Sequence, residues 1–109
     1  MTPIRSLKER FDRDPLPVRW GGIASDLLRL SSMAHDGTSD FKTFQDVLNE
    51  TKLFTEWLAP QVGFEQQETI LSLQRELSGI SLRPFNDRSL EAKARAWSNK
   101  VLEISGLTR

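Results

Sequence analysis

A single histidine, a set of carboxylates and two adjacent glycines are the residues in this 109-residue chain whose types and spacing could do chemistry. His35 could act as a general acid or base, but that role needs a nucleophile or carboxylate within hydrogen-bond reach. Its setting, Ala34-His35-Asp36-Gly37, reads instead as a helix C-terminus, where an imidazolium interacts favourably with the backbone dipole. An enzymatic role would depend on folding to bring Asp or Glu to His35. With one histidine and no cysteine, a metal would have to be held by carboxylates. Asp46, Glu50 and Glu56 do not form the Glu-x-x-His element of di-iron bundles, and no Asp-x-Asp-x-Asp-Gly calcium loop occurs. These acids read as a solvated helix face. Gly21-Gly22 matches neither the dinucleotide fingerprint nor the phosphate-binding loop, and no strand is predicted before it. No catalytic residue, metal or cofactor is expected.

The three tryptophans are more informative. Trp20, Trp57 and Trp97 each fall on the apolar stripe of a different predicted helix, and core packing accounts for them. Trp and Arg are also enriched at interface hot spots, and Arg19 beside Trp20 and Arg95 near Trp97 supply that alternative. Phe54, Trp57, Trp20, Trp97 and Arg19 are accordingly the candidate partner-binding residues. The leading expectation is a non-enzymatic protein–protein interaction or adaptor domain. It would bind another protein, or itself as a homodimer, through an exposed patch holding some of these aromatics. The alternative is a helical sensor or carrier enclosing a small ligand, with Arg19, Arg29, Glu50 or Glu56 as converging polar groups.

Composition narrows the classes further. Hydrophobic residues at 38% and charged residues at 28% suit a small bundle with much surface for its volume. Apolar residues recur along the whole length, which argues against disorder and for one domain over 1–109 with one core. The absence of cysteine excludes disulfides, thiolate metal sites and cysteine nucleophiles, and fits a reducing cytoplasm. No signal-peptide pattern occupies Met1 to Phe11, and nowhere do about 18 apolar residues run together, so no membrane partner is expected. A formal net charge of zero argues against a nucleic-acid partner. Residues 40–80 carry seven acids against three bases, and 83–109 carry six bases against three acids. Neighbouring helices that compensate each other are expected from this, rather than a dipole for a partner.

These residues must be positioned by helices, because no segment shows sustained period-2 alternation. Thr2-Pro3-Ile4 opens a short helix to about Arg13, with Ile4, Leu7 and Phe11 at helical spacing. Asp14-Pro15-Leu16-Pro17 stops it. A second helix is predicted from about Val18 to Ala34, with Trp20, Ile23, Leu27, Leu30 and Ala34 as its stripe. Gly21 and Gly22 conflict with that helix, since each costs about 1 kcal/mol in a helix interior. Either the helix begins after them or they admit another backbone. Gly37 reads as its cap.

Thr38-Ser39-Asp40 offers N-caps for a third helix over about Phe41 to Ala59. One row holds Phe41, Phe44, Leu48, Thr51, Thr55 and Leu58, and a second holds Val47, Phe54 and Trp57 with Leu53. Two apolar rows exceed what one seam requires. The surplus is either covered by the N-terminal helix or is a dimer or partner surface. A fourth helix over Phe64 to Ser78 buries Ile70, Leu73 and Leu77 and is capped by Gly79, with an extended connector over 80–85. Asn86 or Asp87 caps the last helix, Arg88 to Ser105, whose seam is Leu90, Ala94, Trp97, Val101 and Ile104 and whose close is Gly106. The expected fold is all-α: an up-down bundle of four main helices plus a short N-terminal helix.

The stretches Pro17-Val-Arg-Trp-Gly-Gly-Ile-Ala-Ser-Asp-Leu-Leu-Arg-Leu and Leu53-Phe-Thr-Glu-Trp, with Ala96-Trp-Ser-Asn-Lys-Val-Leu-Glu-Ile-Ser-Gly-Leu, resemble an uncharacterised group of small helical cyanobacterial proteins. The resemblance implies a cyanobacterial cytoplasm and brings no activity, so it assigns no functional residue.

Overall fold

The computed structural model describes residues 4–36, 40–81 and 88–106, and over these the chain is all-α. Five α-helices follow one another: α1 (Ile4–Arg13), α2 (Leu16–Asp36), α3 (Phe41–Leu58), α4 (Phe64–Ile80) and α5 (Arg88–Ser105), with a 3₁₀ turn over Ala59–Gln61. The expected caps at Thr2, Gly37 to Ser39 and Asn86 to Asp87 lie outside the described residues. Asp40 caps α3, its carboxylate accepting from the Thr43 amide at 2.7 Å and the Thr43 hydroxyl at 3.0 Å. Those two donors hold its carboxyl below the usual carboxylate range.

Two helix boundaries differ from expectation. α2 starts at Leu16 and not Val18, because the first turn of a helix needs no amide donor and so absorbs Pro17. It therefore carries Gly21 and Gly22 in its interior. What meets Gly22 is the Phe54 ring, 3.7 Å from where a Cβ would stand, and not another backbone. α4 runs through Gly79 to Ile80, so Gly79 is no cap. Ile80 is buried in the core, and continuing the helix by a half-turn is what places it there. Gly106 does close α5, at φ 78° with its amide donating to Leu102 and Glu103.

α2 packs against both α3 and α5. Its whole predicted stripe, Trp20, Ile23, Leu27, Leu30 and Ala34, is buried. The α2–α5 contact is drawn close by small residues. Ser98 donates to the Ala24 carbonyl at 2.8 Å and Ser31 to the Glu91 carbonyl at 2.9 Å, so the two helices pair in opposite chain directions. This corrects the expected α5 seam. Ser98 and Ser105 are buried while Trp97 and Ile104 sit at its margin, because the hydroxyls find backbone acceptors and leave room for close approach.

On α3, Phe44, Val47, Leu48, Thr51, Phe54, Thr55 and Leu58 are buried. Phe41 departs from its expected row and is 61% exposed. The second row is covered in part by α1. Phe11 stacks on Phe54 with ring centres 4.7 Å apart and lies 5.7 Å from Trp57. Further toward the α3 N-terminus that cover thins, and a groove opens.

Candidate functional site

Asp26 departs furthest from what its position should hold. It lies on α2 three residues after Ile23 and four before Leu30, and only 4% of it is exposed. Its Oδ1 faces the Arg29 guanidinium at 3.4 Å, one helical turn along. Its Oδ2 is buried and has no hydrogen-bond donor among the described residues, a condition shared only by Asp12 Oδ1. The Asp26 carboxyl also interacts with the Glu50 carboxyl on α3, which as a carboxylate is an acceptor too. The contact is satisfied once one proton is held between the two acids. Burial, and after it the proximity of Glu50, raises the Asp26 carboxyl from its ordinary 3.8 to about 8, with Arg29 opposing. Burial and the neighbouring acid thus favour the protonated Asp26 carboxyl, the form that can donate to Glu50.

Glu50 has its own link to Arg29, at 3.9 Å, and keeps 30% of its side chain exposed. Its outer side lines a groove of about 460 Å³ between α1 and α3. Ile4, Leu7 and Leu53 form the apolar wall, and Lys42, Asp46 and Asn49 accompany Glu50 on the polar side. The polar residues recur at three- and four-residue spacing on α3, which puts them on one helix face. Lys42 is held by Asp46 at 3.1 Å. The reading of Asp46, Glu50 and Glu56 as one solvated face thus holds for the exposed Asp46 and Glu56 and not for Glu50.

The other candidate residues are placed differently. Trp20 and Phe54 are buried in the core, and Trp57 and Trp97 are half-buried. Trp57 takes the Lys8 ammonium at 5.9 Å, and Trp97 the Lys100 ammonium at 4.9 Å. Arg19 is spent on the α1–α2 junction: it donates to the carbonyls of Asp14 (2.8 Å) and Asp12 and to the Gln61 side chain. Folding gathers Phe54, Trp57 and Arg19 around Phe11, with the Phe54 and Trp57 rings 5.9 Å apart and the Arg19 guanidinium 5.9 Å from the Phe11 ring, and separately brings Arg29 to Glu50.

Folding also gives His35 a carboxylate, Glu91 Oε1 at 3.0 Å across the α2–α5 contact. The nearby Ser31 hydroxyl donates to the Glu91 carbonyl at 2.9 Å. A second hollow of about 350 Å³ on α3 and α4 includes Glu56, but its Thr55 accepts from Gln74 (3.3 Å) and its Lys52 donates to Ser81 (2.6 Å). Lys93 on α5 faces Glu76 on α4 at 3.8 Å, one compensating pair between the acidic and basic halves.

Among the described residues no three His, Asp or Glu side chains are grouped to hold a metal ion, and no helix is long and apolar enough to cross a membrane. Comparison with protein-family models, curated proteins and solved structures finds no match to this chain.

Proposed function

We propose that the protein is a non-enzymatic cytoplasmic binding domain, a helical sensor or carrier that takes a small ligand in the groove between α1 and α3. The observation that carries this reading is Asp26. A buried carboxyl with a raised pKa and an unpartnered oxygen lowers stability, and such groups concentrate where function requires them. Besides Arg29 it interacts with Glu50, and Glu50 borders a groove with an apolar wall and a polar side. The four long helices are read as an up-down bundle. The opposed pairings of α2 with α5, and of Lys52 with Ser81 and Gln74 with Thr55 between α3 and α4, support that order.

A protein titrated with a mixture of small fragments and followed by amide NMR tests the reading. Shifts should concentrate at Leu7, Asn49, Glu50 and Leu53 and disappear in a Leu7→Trp variant that fills the groove. Shifts confined to other surfaces would overturn it.

The interaction or homodimer reading rests on a different surface. Phe64 and Leu71, 76% and 53% exposed, stand seven residues apart on the outer side of α4. Light scattering after size exclusion tests it: a concentration-dependent mass that Phe64→Ala reduces favours self-association, and a monomer at every concentration counts against it.

A further inference from the structure

We propose that the ligand of the α1–α3 groove is a small organic cation carrying an apolar chain, an alkylammonium or alkylguanidinium compound, with its charged head on Glu50. The inference rests on the ligand-binding reading above and adds the ligand's chemistry. The groove lining holds one base, Lys42, and two acids, Asp46 and Glu50. Lys42 is taken by Asp46 at 3.1 Å. Arg29, the base behind Glu50, lies closer to Asp26 (3.4 Å) than to Glu50 (3.9 Å). Glu50 thus borders the groove with its nearest cation 3.9 Å away and shared with a second carboxyl. An anion would find both nearby cations already engaged. A hard metal ion would need about six or more oxygen ligands, which this lining does not group together.

Ile4, 61% exposed, together with Leu7 and Leu53 leaves apolar surface beside that carboxylate, which an alkyl chain would cover. Asp26, which shares Arg29 with Glu50, has a buried Oδ2 without a hydrogen-bond donor among the described residues. Without a cation at Glu50, the raised pKa of Asp26 favours a proton on this pair. With a cation at Glu50, the Asp26 carboxylic acid loses its proton to solvent, and charge is conserved. Among the described residues Arg29 from α2 is the charged group in contact with the pair. Lys42 and Asp46 from α3 line the groove with Glu50, and the α1 residues in that lining, Ile4 and Leu7, are uncharged.

Titration with n-hexylammonium chloride, sodium hexanoate and 1-hexanol, followed by amide NMR and calorimetry at pH 7, tests this. Hexylammonium should shift Leu7, Asn49 and Leu53 saturably, weaken with added salt, and bind roughly tenfold or more weakly to Glu50→Gln, as loss of a charge-assisted hydrogen bond requires. Its heat should depend on the buffer's ionisation enthalpy in the wild-type protein and not in Asp26→Asn. Hexanoate or hexanol binding the groove as tightly as hexylammonium would overturn the cation while leaving the ligand-binding reading in place. No groove response to any of the three would overturn both.

Discussion

Asp26 on α2 and Glu50 on α3 set two carboxyls against each other, with one guanidinium, Arg29, 3.4 Å from the first and 3.9 Å from the second. One positive charge cannot fully serve a buried acid and a half-buried one, which favours a proton on the buried Asp26. That proton ties the stability of the α2–α3 contact to pH, and its position behind the groove ties it to whatever reaches Glu50.

The sign of the pH effect follows from Asp26, whose carboxyl is raised to about 8 in the folded chain. Below about pH 4 folded and unfolded chains both hold the proton. As pH rises toward 8 the unfolded chain releases it first, so this contribution to stability falls and then levels off. Asp26→Asn keeps the shape, donates to Glu50 and has nothing to ionise. We expect the variant to be more stable by on the order of 2–4 kcal/mol at pH 8 and by clearly less at pH 5. Urea unfolding of both proteins at the two pH values measures this, and an equal difference at both would reject the shared proton.

A second prediction concerns the glycines. Gly22 lies in the interior of α2 with ordinary contact distance to Phe54, and a Cβ would meet that ring at 3.7 Å. Gly22→Ala should therefore stabilise by roughly 0.5–1 kcal/mol, through helix propensity and reduced unfolded-state freedom. Gly106, at φ 78°, should respond in the opposite sense, with Gly106→Ala destabilising by about 1 kcal/mol. Thermal melts of the two variants decide whether backbone conformation or contact space governs each site.

The stripe of α2 and the span of α5 were legible in advance because long apolar periodicity survives whatever packs on it. Asp26 was not. An acid between Ile23 and Leu30 reads as the polar neighbour of a stripe until the approach of α3 buries it. The signal was its three- and four-residue spacing to those two residues, which puts it on the apolar face. The α5 seam was misjudged by one position for a related reason: Trp97 promises more buried area than Ser98. The α2–α5 contact instead favours a small residue whose hydroxyl can reach the Ala24 carbonyl. Gly79 looked like a cap because its conformational role depends on whether Ile80 has a core to enter.

That seam yields a third prediction. Ser98→Ala removes one interhelical hydrogen bond and leaves the spacing intact, so it should cost about 1 kcal/mol. Ser98→Leu must force α2 and α5 apart and should cost more, by roughly a further 1–3 kcal/mol from overpacking. If the leucine variant proves the more stable of the two in chemical denaturation, the close approach is not what holds these helices.

The last prediction joins the covered face of α3 to the groove beside it. Phe11 is 4% exposed and stacks on Phe54, so it fastens α1 to α3, while Ile4 and Leu7 on the same short helix wall the groove. Phe11→Ala should cost about 3 kcal/mol, the lower end for a buried phenylalanine, because a terminal helix can relax around the loss. Hydrogen exchange should show the change concentrated in α1, with protection of α2 and α5 largely kept. The same variant should lose hexylammonium binding even under conditions where the bundle stays folded, since the apolar wall leaves with α1. Unchanged binding in a variant whose α1 amides exchange freely would mean that α3 alone forms the site.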